Sequence, residues 1–319
     1  MGKHTEVQSH RACTIGLPNG LLYAHYQVLW NSFFAGVGLQ TRNSGPTNRE
    51  ILELGNECSI DETCLSAKLY LGHVRSLLGT CDYILVPRIN SWGRQRDMCT
   101  RFASLYDLVC NTFRDSGQKF LSCNIDAGKK LTEESAFVQM GEELGFSKKI
   151  AENAYHQAKK EDENQWKLRL RKEEALYREK GIKVMIAAHS YIIEDDYYGK
   201  PIADYLRSLG LIPIRADITD RKEALKQSLK VSPTLKWEWN REIIGSLQMH
   251  REQIDGIVLV SAFPCGPDSM TDEIVSRHFA PLPVLRLVLD TQTGTAGIET
   301  RLESFADILS FQKKGGLAQ

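Results

Sequence analysis

Eight cysteines stand in this chain, and three of them, Cys64, Cys99 and Cys265, occupy positions where a thiolate could do chemistry. Cys265 lies within residues 261–269, after an apolar run over 256–260 that has the length and β-branched content of a buried strand. A polar helix start at Asp268 and Ser269 follows it. Cys99 sits in the loop after a second strand-like run, 82–87. In an open α/β sheet, ligands bind outside the carboxyl ends of the strands, so two sulfurs after two strands point to one shared site. Cys64 opens a helix read over 65–74, with Asp61 or Thr63 as its N-cap. There the macrodipole favours a thiolate, the form that binds metal.

The elements that must position these sulfurs follow a strand–helix rhythm. Strands are expected at 11–18, 39–42, 82–87 and 119–125, with helices at 21–36, 47–54, 65–74 and 101–115 between them. Residues 131–180 are highly charged and almost free of Gly and Pro, and they read as two long helices breaking near Gly145. The rhythm then resumes with strands at 182–191, 212–217, 256–260 and 283–290. Helices are expected at 201–209 and 269–278, and a last one at 300–309 after Gly294 and Gly297. The expected organisation is an N-terminal α/β domain over 11–145, a helical connection over 146–181 and a C-terminal α/β domain over 182–312. His189 and Tyr191 end a strand of the second half and are placed to donate protons into a cleft between the domains, with a structural histidine as the competing reading.

Composition narrows the partners. A chain of 319 residues with 42% hydrophobic and 25% charged content is long and apolar enough for two packed domains. Forty basic against forty acidic residues create no net field for nucleic acid or an anionic membrane. The apolar runs are strand-sized, and the polar start, 1–10, lacks a signal peptide's apolar core, so a cytoplasmic protein is expected. In that compartment cysteines are not expected to pair as disulfides. The Rossmann glycine fingerprint, the phosphate-binding loop and the His-Glu-x-x-His helix are all missing, as is closely repeated Cys-x-x-Cys spacing. Cys13, Cys81, Cys110 and Cys123, within or beside strands and helices, are expected to pack in the core.

Several segments together carry a resemblance. They are Glu57-Cys58, Cys64, 68–74, 82–88, Met98-Cys99, 263–268, and 289–290 with 297–305. The pattern resembles the activase-associated family related to 2-hydroxyacyl-CoA dehydratase subunits and double-cubane cluster proteins, and it spans about 13–309. The resemblance implies an α/β fold of two Rossmann-like parallel-sheet domains joined by long charged helices. It further implies an oxygen-sensitive iron–sulfur cluster, [4Fe-4S] or double-cubane, held by Cys64, Cys99 and Cys265. Cys58 is expected either to replace Cys64 as a ligand or to lie beside the cluster without ligating it. His73 is expected either to donate to a cluster sulfur or to ligate an open iron, the latter disfavoured by the ~13.5 Å of helical rise that separates it from Cys64. The implied partner is an activator ATPase with its own iron–sulfur cluster, and the implied assembly a homodimer. On this reading a low-potential cluster reduces a small substrate or relays electrons. A non-catalytic, cluster-carrying accessory subunit or scaffold for the activator is the alternative, and a zinc or purely structural protein with inert cysteines is the reading of another class.

Overall fold

The computed structural model describes residues 13–93, 96–292 and 295–315. Arg11, Ala12 and Gly294 of the expected elements lie outside the described residues. In chain order the first half comprises β1 (Thr14–Leu17), α1 (Tyr23–Gly36), β2 (Gln40–Asn43), α2 (Arg49–Glu57), α3 (Leu65–Leu77), β3 (Tyr83–Ser91), α4 (Thr100–Ala103), α5 (Leu105–Thr112) and β4 (Lys119–Asp126). Then come α6 (Glu133–Glu143) and the long α7 (Lys148–Leu176). The second half comprises β5 (Ile182–Ala187), α8 (Ser190–Ile193), α9 (Gly199–Ser208), β6 (Leu211–Arg215), α10 (Arg221–Val231), α11 (Glu238–His250), β7 (Gly256–Ala262), α12 (Gly266–His278), β8 (Val284–Leu289) and α13 (Thr295–Lys313).

Each half builds one four-stranded sheet, β2-β1-β3-β4 and β6-β5-β7-β8, and every strand pair is parallel. The chain is therefore an α/β protein with two Rossmann-like domains. Parallel strands covered on both faces read as continuous apolar runs rather than alternating ones, and every residue of β7 is buried. The order reverses direction between β1 and β3, and again between β5 and β7. Such switch points open a crevice at the carboxyl ends of the central strands. The loops after β3, β5 and β7 carry Cys99, His189 and Cys265 into those crevices.

The charged segment forms α6 and α7, separated at Gly145, whose φ of +89° suits a residue without a Cβ. The N-terminal part of α7 packs on α1, where Ala151, Ala154, Tyr155 and Ala158 are buried. Further along, Leu168 is 48% exposed, and Trp166 lies under the Arg221 guanidinium of α10, 4.0 Å from ring centroid to Cζ. Helices α2 and α3 cross closely. A Cβ on Gly55 would sit 2.1 Å from the Lys68 carbonyl oxygen, and one on Gly72 2.0 Å from that of Ile51. Only glycine permits this approach, which sets the position of α3 and of Cys64 at its start. Cys123 is buried in β4, whereas Cys13, Cys81 and Cys110 are only half-buried at the edges of the first domain.

Candidate functional site: a thiol crevice between the domains

Three cysteines occupy the same local position in different helices. Cys64 is the N-cap of α3, Cys99 of α4 and Cys265 of α12, each with extended backbone angles. The caps expected at Asp61 or Thr63 are therefore corrected to Cys64, and α12 begins at Gly266, with proline in its first turn, rather than at Asp268. None of the three thiols closes a side-chain cap hydrogen bond. The orphan N–H groups of the three first turns, at Ala67, at Arg101 and Phe102, and at Asp268, nevertheless favour the thiolate forms.

Two backbone clamps bring the domains together at this point. Leu65 N–H donates to the Phe263 carbonyl at 2.9 Å, tying the start of α3 to the loop that carries Cys265. On the other side Asp97 N–H donates to Lys236 O at 3.2 Å, and Glu238 N–H to Asp97 O at 3.0 Å. Arg96 adds two parallel bonds to the buried Glu238 carboxylate, 2.6 Å from Nε and 2.5 Å from a terminal nitrogen. These contacts hold the loop of Cys99 against the second domain.

Electrostatics shows which groups share the space. Burial raises the Cys64 thiol, while the guanidinium of Arg101 on α4 pulls it down and Asp268 on α12 pushes it up. Burial likewise raises Cys99, and the charges of Cys64 and Asp268 add to it. Cys265 is driven far up by burial and then by Asp268. Burial, followed by the charges of Asp268, Cys265, Cys99 and Cys64, pushes the Tyr191 phenol well above its ordinary value. The charges of all three sulfurs and of one carboxylate thus act on Tyr191. With ionisation raised, the sulfurs are neutral thiols at pH 7 unless a cation replaces their protons.

His189 and Tyr191 are stacked, with ring centroids 5.0 Å apart. Phe102 and Trp239 pack edge-on behind them at 5.2 Å, and Phe102 also meets Tyr191 at 5.9 Å. His189 Nε2 lies 2.8 Å from Asp268 Oδ1, and that oxygen also accepts from Asn240 Nδ2 at 2.8 Å. Burial opposes charge on His189, yet Asp268 lifts it above the usual histidine value, and burial of Asp268 is in turn outweighed by His189 and Asn240. Asp268 thus favours the charged form of His189, and its other oxygen, Oδ2, is buried with no hydrogen-bond partner. A cavity of about 500 Å³ opens beside Tyr191 between the domains, bordered by Asn19, Asn43, Glu194, Lys200 and Arg215. That volume suits a small-molecule ligand.

Two expected participants are elsewhere. Cys58 caps the C-terminus of α2, and Arg75 donates to its sulfur at 3.5 Å. Arg75 is near the far end of α3, about 16 Å of helical rise from Cys64, so Cys58 does not join the other sulfurs. His73 is fully buried, and both its ring nitrogens are engaged: Nδ1 with Ser44 Oγ at 2.9 Å and Nε2 with Thr47 Oγ1 at 3.0 Å. It has no donor left for a cluster sulfur. Sequence reasoning, conversely, overlooked Asp268 as a site residue, together with Asn240 and Trp239. Asp268 reads only as an acid in a first turn, and nothing local marks the other two. Among the described residues, no group of three or more His, Cys, Asp or Glu side chains is arranged to hold a metal ion. No helix among them is long and apolar enough to cross a membrane.

Fold and crevice together define a two-domain parallel α/β protein with half-buried thiols at the domain junction. Residues 14–218 match the CoA enzyme activase uncharacterised domain, and the chain belongs to that family. A comparison with curated proteins finds no match. Among solved structures, the SBP FpvC of P. aeruginosa in complex with Ni²⁺ is 11% identical, with 97% of this chain and 100% of that chain covered and a TM-score of 0.29. The same SBP in complex with Mn²⁺ gives 11%, 96%, 100% and 0.28. Scores this low define no shared fold.

Proposed function

We propose that the crevice holds an iron–sulfur cluster through Cys64, Cys99 and Cys265 and that the protein is a redox component of the activase-associated group. The observation that carries this is that Cys64 and Cys99 of the first domain and Cys265 of the second each cap a helix at one junction, where Leu65 N–H bonds the Phe263 carbonyl and the charges of all three sulfurs act on Tyr191. Soft thiolates suit iron and sulfide, and three helix N-termini offset the negative charge they would bring. A single ion needs every sulfur within ~2.3 Å of one point, whereas a cluster distributes its ligands over several irons. The lack of a single-ion site therefore does not count against a cluster. When bound, such a group supplies low-potential electrons. The chain's own residues would bind a small polar substrate in the cavity beside Tyr191, orient it by amide and charged side chains, and hold a proton at His189 Nε2 against Asp268. The surrounding aromatic groups exclude water. An activator ATPase fits as the electron donor, and the role of accessory subunit is the alternative within the same reading.

The test is anaerobic reconstitution of the full chain with iron and sulfide. Wild type should take up both and turn brown, and Cys99→Ser and Cys265→Ser should each lose most of the iron, while Cys58→Ser keeps it. Full iron content in Cys265→Ser would refute the ligand set. Reductant-driven turnover of a small acceptor, with the activator present, separates the catalytic from the accessory role.

A further inference from the structure

A second cavity, about 40 Å³ and so large enough for a water molecule, lies on the other side of His189. It is bordered by His25, Asp162, Arg169, His189, Arg221 and Glu242. Glu242, on α11, is 6% exposed, and its carboxylate has no hydrogen-bond partner among the described residues. The nearest cation is Arg221, whose Nε stands 3.9 Å away and is itself unpartnered. Another nitrogen of Arg221 faces His25 Nδ1 at 3.2 Å, and its guanidinium covers Trp166. A carboxylate at that depth without a donor calls for water or a proton.

His189 joins this cavity to the sulfur site. Its Nε2 is committed to Asp268, and its Nδ1 has no hydrogen-bond partner among the described residues. An electron added to a buried site is costly unless charge is compensated, and a proton compensates it most directly. We propose that Glu242, water in the small cavity and His189 form the route by which protons reach the thiol crevice from the domain junction. This rests on reading the crevice as a reductive centre. From the neutral Nε2–H form of the ring, the Glu242 carboxyl passes a proton through the water to His189 Nδ1 as the Nε2 proton passes to Asp268 Oδ1 and on into the crevice, and a turn of the ring restores the starting tautomer, leaving Glu242 as a carboxylate. The carboxylate is then reprotonated from solvent, and no electron moves along the route.

The acidity of Glu242 is consistent with this. Burial raises it to about 7, with Arg221 and Arg96 pulling down and Glu238 and Asp217 pushing up. His25, Asp162, Arg169 and His189 face it across the cavity. His25 is unsuited to the role, because burial and then Arg221 hold it well below its ordinary value. Asp217 is held by Arg215 at 2.5 Å.

The experiment uses full-length wild type and Glu242→Gln, which keeps the shape but not the exchangeable proton. Both are reconstituted anaerobically, reduced by dithionite and followed by stopped flow with a pH-indicator dye. Proton uptake should slow about ten-fold or more in the variant at unchanged iron and sulfide content. In the metal-free wild type, the His189 ring resonances should show an inflection near pH 7 from Glu242, which the variant lacks. Wild-type uptake by a normally loaded variant overturns the route while leaving the cluster reading intact. A wild type that binds no iron or sulfide refutes the cluster reading instead. A wild-type His189 without the inflection overturns the route whether or not the variant folds.

Discussion

Thr47→Val should be costly out of proportion to its size. Thr47 links the domains through a hydrogen-bonded chain whose direction is determined at every step. Its Oγ1 donates to Asp195 Oδ2 at 2.5 Å, so it must accept from His73 Nε2–H at 3.0 Å. Ser44 Oγ accepts from Asn19 N–H at 2.8 Å and donates to His73 Nδ1. Valine fills the same space but leaves His73 Nε2–H, in a fully buried ring, without an acceptor and removes one donor from Asp195. Asp195 keeps the N–H groups of Tyr197 and Tyr198, both at 2.9 Å, so its loss is partial. An orphaned buried donor costs ~1–3 kcal/mol and a bond to a charged acceptor contributes ~1.5–3, so the variant should lose about 3–4 kcal/mol in urea denaturation. Thr47→Ser retains the hydroxyl and should lose less than about 1 kcal/mol. Amide exchange should accelerate around 44–47 and 195–199 before it does in β7. If Thr47→Val stays within about 1 kcal/mol of wild type, or serine is as damaging as valine, the chain carries no load.

Other perturbations probe the same junction. Burial lowers His73 to about 4 from an ordinary 6.5, so the unfolded chain takes up a proton first as pH falls. Stability from this group is complete above about 6.5 and declines by about 1.4 kcal/mol per unit until about pH 4, roughly 3 kcal/mol in all, and the slope should shrink in His73→Asn. Asp268→Asn removes the anion that supports imidazolium at His189, so NMR titration should place that ring below the ordinary histidine value, where burial alone would put it. Arg96→Ala strands the buried Glu238 carboxylate; it should cost about 1–3 kcal/mol in chemical denaturation and speed the reaction of Cys99 with a thiol reagent.

Much of the fold is legible because strand and helix signals are local. The apolar runs at 182–187 and 256–260 and the break at Gly145 announce themselves through periodicity and turn chemistry. The strand read on to 191, however, ends at Ala187, and His189 caps α8 with Tyr191 inside that helix. Boundaries move where pairing partners decide them. The strand read over 82–87 runs to Ser91 because β4 continues alongside it, and the helix read over 101–115 divides at Ser104 into α4 and α5. Cys64, Cys99 and Cys265 can each be placed at an element boundary from neighbours within a few residues. The roles imagined for Cys58 and His73 depended on distant partners, and there local reasoning failed.

What the sequence alone determined is the alternation of elements, the two-domain parallel architecture, and the placing of Cys99 and Cys265 where strands give way to helices and of Cys64 at a helix start, all consequences of short-range spacing. Only the tertiary structure decided which of those cysteines come to one junction, that Asp268 is bound there to His189, and that Thr47, His73 and Asp195 form one chain across it. These contacts join residues as far apart as 148 positions. They depend on the crossing of α2 and α3 and the closure of one sheet end on the other, geometry that no local pattern of residues encodes.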